Sequence, residues 1–322
     1  MAIVLSGPKP SQRELEPFEE IDEDVSSARF IGVSWEDRGQ VWMRDGDSLK
    51  RPGVPRFEPI SISAHGDVRS AILSQVGRAQ KVVLHSMRLD PGQYYPRIAR
   101  PIDQHPTDLP SRPGFQPSSM QVKSEIYSAA RYFSSLMKEL DVILDTVEPS
   151  AANYSSYGNR TRNLLMLACT ECENQMRGVL HANGVEAERY TTKHFVELMR
   201  PMRLDEYRVA FSEMPWLDHV SPFRGWDSEK PTKSLEWYDA YNAAKHDRAQ
   251  NGHRASLKTV FQSLAGLWVL LAAQYGPKSW RTISGSERTF SLISAARWRF
   301  SDVYVYPYDG ADPEVGPVCY FS

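Results

Sequence analysis

Cysteine is scarce in this chain: only Cys169, Cys172 and Cys319 occur among 322 residues. An odd, sparse set cannot build a disulfide framework and suits a reducing, cytoplasmic setting. Neither sign of charge is in excess, since 38 Lys plus Arg face 40 Asp plus Glu for a formal net charge of -2. That balance excludes a globally basic nucleic-acid binder and leaves room only for a local basic patch. No apolar run reaches the roughly 18 residues of a bilayer span. The longest, Val260 to Ala273, reads as a buried core helix. Met1 to Pro8 has neither the basic start nor the apolar length of a secretory signal. The expectation is a cytoplasmic protein with no membrane partner. Also absent are a Gly-rich phosphate loop, a Gly-x-Ser-x-Gly elbow and a His-Glu-x-x-His pair. Nucleotide hydrolysis, dinucleotide redox chemistry, elbow-type acyl transfer and zincin proteolysis therefore lose support, and no cofactor is implied.

What is present supports a sizeable core: 41% of residues are hydrophobic and 11% aromatic. The chain divides by pattern into four stretches. Residues 1–28 are acidic and aperiodic and read as a flexible tail, or an arm that docks. Residues 29–119 read as a β-containing unit. Arg29 to Trp35, Gln40 to Arg44, Ile60 to Ser63 and Lys81 to Met87 are strand-like, Asp67 to Gln80 is helical, and seven prolines between Pro91 and Pro117 mark an extended connection. Residues 120–277 are helical. Ile126, Ala130, Phe133, Met137, Leu140 and Leu144 form one apolar stripe, a second long helix spans 159–182, a third covers 193–199, and the last covers 255–274. Residues 204–233 read as a partly ordered insertion. Residues 278–322 return to strand patterns at Thr289–Ser294 and Asp302–Tyr306, which are expected to complete the N-terminal sheet. The predicted class is α+β: mainly a helical bundle, with a smaller β-containing unit built from both ends of the chain.

The densest chemistry lies between Tyr241 and Arg248, in the run Tyr-Asn-Ala-Ala-Lys-His-Asp-Arg. On a helix, Asn242 and His246 stand four apart and share a face. Imidazole titrates near neutrality, so a histidine there can take a proton from a 2′-hydroxyl or protonate a leaving oxygen. Asn242 can hold the ring or donate to a phosphate, while Lys245 and Arg248 can neutralise charge on a phosphorane. The bland account pairs Asn242 with His246 in the core and leaves Lys245 and Arg248 solvated. Glu173 and Arg177, four apart, are expected to form a helical ion pair of about 0.2–0.5 kcal/mol. A sharper account places Glu171, Glu173, Arg162 and Arg177 in a polar groove facing His246. Trp216, Phe223, Trp226, Trp237, Tyr238 and Tyr241 can stack bases or pin the insertion to the helices. Cys169 and Cys172 fit core packing, since a structural zinc site needs four ligands and only Cys319 remains. No metal is expected.

The order of long helices, the polar second helix Arg160-Thr161-Arg162-Asn163 onward, and Asn242-Ala243-Ala244-Lys245-His246 together resemble the HEPN superfamily of helical bundles. That resemblance implies metal-independent RNA cleavage by an Arg with, often, an Asn and a His four to six residues past the Arg, frequently at a homodimer interface. Asn242 and His246 match the Asn and His, and Tyr241 stands at the Arg position. Arg248 is then the nearby guanidinium, with Lys245, Tyr241, Arg162 and Arg177 as substrate-binding residues. The resemblance thus points to an RNA-directed module and, within that class, to a ribonuclease of a defence or toxin system, with RNA and a second copy as partners. The competing reading is a non-catalytic interaction or scaffold protein that keeps the bundle. Residues 120–277 hold 18 Lys plus Arg against 19 Asp plus Glu, a near-neutral balance that counts against nucleic acid.

Overall fold

The computed structural model describes residues 21–35, 38–52, 54, 56–76, 81–101, 120–286, 289–305 and 316–321. They form a mixed α+β protein. Strands β1 (Phe30–Trp35), β2 (Arg38–Asp45), β3 (Ser48–Lys50), β4 (Ile60–Ser61) and β5 (Val83–Ser86) make one antiparallel sheet in the order β4-β3-β2-β1-β5. Gly46, at φ +60, takes the first position of the two-residue turn between β2 and β3, where other residues are strained.

Alternation along the strands gives the sheet two apolar faces. Ile31, Val33, Trp42, Leu49 and Leu84 point towards helix α1 (Val68–Val76) and pack on its Val68, Ala71 and Ile72. Phe30 and Val41 point the other way and are covered by Val305 and Phe300 from far along the chain. The Phe300 ring lies over Gly32 and Gly39, and a Cβ on either glycine would collide with it. Gly39→Ala should therefore lower stability by about 1–3 kcal/mol, the usual cost of overpacking a fitted core. A thermal melt checks this, and an unchanged midpoint would refute the role given to Phe300.

Of the two readings of residues 1–28, flexible tail or docking arm, the described part follows the second. Residues 1–20 lie outside the described residues, but 21–28 dock as an arm along β5, with Val25 buried in the sheet's core. Asp22 and Glu23 find main-chain partners there, which is why an acidic stretch holds a fixed course.

After strand β6 (Gln93–Tyr94) the connection runs onto the helices. Ile98 is buried in the helical core, Ala99 N–H donates to the Ala273 carbonyl at 2.8 Å, and the Asn183 amide donates to the Pro96 carbonyl at 2.8 Å. Arg97, at φ +57, reaches Gln274 Oε1 at 2.9 Å and Gln175 Oε1 at 2.7 Å. The rest of the proline-rich stretch, 102–119, lies outside the described residues.

The helical part comprises α2 (Met120–Leu144), α3 (Asn159–Ala182), α4 (Thr192–Phe195), α5 (Met199–Met202), strand β7 (Arg208–Phe211), α6 (Glu236–His246), α7 (Arg248–Asn251), α8 (Leu257–Tyr275) and α9 (Pro277–Ser284). Helix α8 is apolar on all sides and packs against α2, α3, α6 and α9. It is the one described helix long and apolar enough to cross a membrane, and 89% of its apolar window is buried inside the protein. The expected third helix is broken: a 3₁₀ turn at Val196–Leu198 separates α4 from α5, and Pro201 supplies no N–H to continue a ladder.

Strand β8 (Phe290–Ser294) corrects a second expectation. It pairs with β7, not with the N-terminal sheet. The reason is Phe290, which is fully buried against Phe211, Phe133 and Trp268 in the helical core. The stretch expected as a strand at 302–306 contains the end of a 3₁₀ turn, Phe300–Asp302, followed by extended chain to Val305. Strand β9 (Gly316–Pro317) pairs in parallel with β6. Thus the C-terminal segment covers the sheet with the side chains of Phe300 and Val305, while β8 belongs to the helical core.

A buried ionic junction joins these parts. The Arg100 side chain is 3% exposed and that of Asp302 is 6%, with Nη1 3.7 Å from Oδ1. Arg100 Nη1 also donates to the Asp302 carbonyl at 3.0 Å. The guanidinium lies 4.7 Å from the ring centres of both Tyr95 and Trp298. Arg88 and Arg203 approach the same carboxylate at 3.1 and 3.9 Å.

Candidate functional site

Helix α6 forms because Trp237, Tyr238, Ala240, Tyr241 and Ala244 fall on one face and are buried together. Gly266 on α8 admits the Trp237 indole at close range, and the indole N–H donates to the Pro222 carbonyl at 2.9 Å. Asp247 ends the helix. At φ -140, ψ 89 it leaves the helical region and caps α7, its Oδ1 accepting the Gln250 N–H at 3.1 Å. Asp247 is thus a capping residue.

Tyr241 is 2% exposed, at the heart of the α3–α6–α8 packing. Its ring meets Tyr238 edge-on at 5.6 Å, and its hydroxyl accepts from Lys245 Nζ at 3.1 Å. Tyr238 in turn donates to Glu173 Oε1 at 2.5 Å. Burial, reinforced by that carboxylate, pushes the Tyr238 phenol far above its ordinary range, so it remains a neutral donor. The hydrogen bond to Tyr241 lifts the Lys245 ammonium above its ordinary value despite partial burial. Glu173, Tyr238, Tyr241 and Lys245 thus form a polar thread from α3 through the core to the surface of α6.

The other predicted residues are dispersed. Asn242 is half-buried and donates to the Tyr238 carbonyl one turn back, at 3.2 Å. His246 is exposed at the helix end, so the buried Asn242–His246 pair does not form. Among the described residues, no hydrogen bond or ion pair joins His246 to Asn242, Arg162 or Arg248. Arg248 is exposed and donates to Asn159 Oδ1 at 2.9 Å, at the start of α3. Arg162 is half-buried and donates to Asn163 Oδ1 at 3.2 Å. Arg177 is exposed, and in place of the expected ion pair with Glu173 the carboxylate accepts from the buried Tyr238 hydroxyl.

The aromatic cluster also resolves. Phe223, Trp226 and Trp237 are buried with their rings in contact, and Trp226 Nε1 donates to the Pro231 carbonyl at 2.8 Å, so they pin the insertion. Trp216 is 62% exposed and is tied to the Pro149 carbonyl through Nε1. Cys169 and Cys172 are buried in the helical core, and burial pushes both thiols well above their ordinary range. Two open hollows, about 260 and 520 Å³, share the exposed Tyr157 beside the start of α3. The sequence drew no attention to Tyr157, which is placed by the return of residues 253–258 across it.

Comparison with protein-family models, curated proteins and solved structures finds no match to this chain.

Proposed function

We propose that the helical part is a HEPN-like bundle serving as a non-catalytic interaction module. One observation carries this reading. Where the superfamily's motif has arginine, Tyr241 is buried with its hydroxyl engaged by Lys245. A phenol cannot offer positive charge to a phosphate, and Arg248 donates to Asn159 Oδ1. Incubation of purified protein with RNA in EDTA is expected to leave the RNA intact. His246→Ala should change stability by no more than about 0.5 kcal/mol, as for an exposed surface residue. Urea unfolding checks the second point, and a larger loss would show that His246 is structural.

A second reading has its own support. His246 is open to solvent, with exposed Lys245 and Arg248 in the same short stretch. A metal-independent endoribonuclease of a defence or toxin system would use His246 as proton carrier, Asn242 and Arg248 beside it, and RNA and a second copy of the chain as partners in the cytoplasm. RNA cutting in EDTA that His246→Ala abolishes would establish this reading over the first.

A further inference from the structure

The connection that leads from β6 onto the helices places one charged side chain among them. Arg97, at φ +57, lies in the left-handed region that residues with a Cβ seldom occupy. Its guanidinium enters a slot between α2, α3 and α8, and each of its three nitrogens faces an acceptor on a different helix. Nε donates to Gln274 Oε1 at 2.9 Å, Nη2 donates to Gln175 Oε1 at 2.7 Å, and Nη1 lies 4.0 Å from Glu125 Oε2. Gly178 on α3 makes the room, since a Cβ there would overlap Nη1.

The two amide acceptors are aimed by bonds that do not involve Arg97. Gln175 Nε2 donates to Glu171 Oε1 at 2.6 Å, and Gln274 Nε2 donates to the Leu270 carbonyl at 3.1 Å. Each amide thereby turns its oxygen towards the slot. Gln175 is 6% exposed and Gln274 4%, so neither can swing out to water. Removing the guanidinium would leave both oxygens and the Glu125 carboxylate facing one gap. A planar guanidinium presents donors in three directions and matches that gap, whereas an ammonium has a single nitrogen and cannot reach acceptors on three helices. The slot is open at one end, the side chains of Arg97 and Glu125 being 22% and 38% exposed.

We infer that this slot is a binding site for a guanidinium cation, filled in cis by Arg97, and that it takes an alkylguanidinium supplied in trans once that side chain is removed. The site shares no residue with the Tyr241–Arg248 stretch. Its cis occupant carries the chain with it. The same site therefore ties the connection to the helices, beside the main-chain contacts of Pro96 and Ala99.

Full-length Arg97→Gly tests this, because glycine keeps φ +57 without strain and only the side chain is lost. Its melting temperature should fall below that of the parent chain. Millimolar methylguanidinium chloride should raise it again, saturably, as a ligand of the folded chain does. Methylammonium chloride at equal ionic strength should give no such rise, and the parent chain, whose slot is full, should respond to neither salt. Adding Gly178→Ala, a favourable exchange within a helix, should abolish the rise by filling the slot. The inference is overturned by no saturable rise, by an equal rise with methylammonium or in the parent chain, or by a rise that survives Gly178→Ala. If Arg97→Gly is unfolded without added salt, the same titration is read as recovery of helical circular dichroism and decides in the same two directions.

Discussion

Asp302→Ala should lower the free energy of unfolding by about 3–5 kcal/mol, the range for leaving one partner of a buried pair uncompensated. Arg100 is the group left behind. It is enclosed by Tyr95, Trp298 and Tyr304, so the guanidinium cannot turn to water when the carboxylate is lost. Arg88 and Arg203 add their repulsion, since Asp302 is the anion that all three approach. Urea unfolding followed by tryptophan fluorescence measures the effect. The same reasoning predicts partial recovery in Arg100→Met/Asp302→Leu, because an apolar pair of similar volume carries no unpaired charge. A cost for Asp302→Ala below about 1 kcal/mol, the level of an exposed ion pair, would show that water reaches the junction.

Tyr241→Arg carries the second large effect, and its direction runs against the motif. Restoring the superfamily's arginine should cost about 3–5 kcal/mol, because a guanidinium would replace a phenol packed among Tyr238 and the α8 side chains. Lys245, which now donates to the Tyr241 hydroxyl, would face a like charge instead. Tyr241→Phe isolates the hydroxyl and should cost about 0.5–1.5 kcal/mol, the net worth of one hydrogen bond. The arginine variant is therefore expected to melt early and to gain no RNA cleavage. Full stability in that variant would sink the claim that this position serves the core.

How much of this was legible depends on where the information lies. Helix α3 spans 159–182 as its pattern and the following Asn183-Gly184 predict, because periodicity and stop signals are local. The face of α6 was equally open to reading, since Trp237, Tyr238, Tyr241 and Ala244 recur at helical spacing. The exposure of His246 was not, because it rests on Asp247 leaving the helix to cap α7. The partner of β8 was hidden for a different reason. Short strands carry no label for their neighbour, and β7 lies within a stretch whose pattern reads as an irregular insertion. The arm was legible only in part because acidic composition argues for solvation, while its two useful carboxylates act on main-chain N–H groups that no side-chain pattern reveals.

The cover that Phe300 and Val305 lay over Phe30 and Val41 bears on how the protein is made. Domains emerging from the ribosome ordinarily fold as they appear, N-terminal portion first. Here the early strands can close only their α1-facing side at that stage. Their other side must wait, apolar and uncovered, until Phe300 and Val305 have been synthesised. A nascent chain stalled before Phe300 should therefore expose a sticky half-sheet, and a chain truncated at that point should need a holding chaperone to remain dispersed.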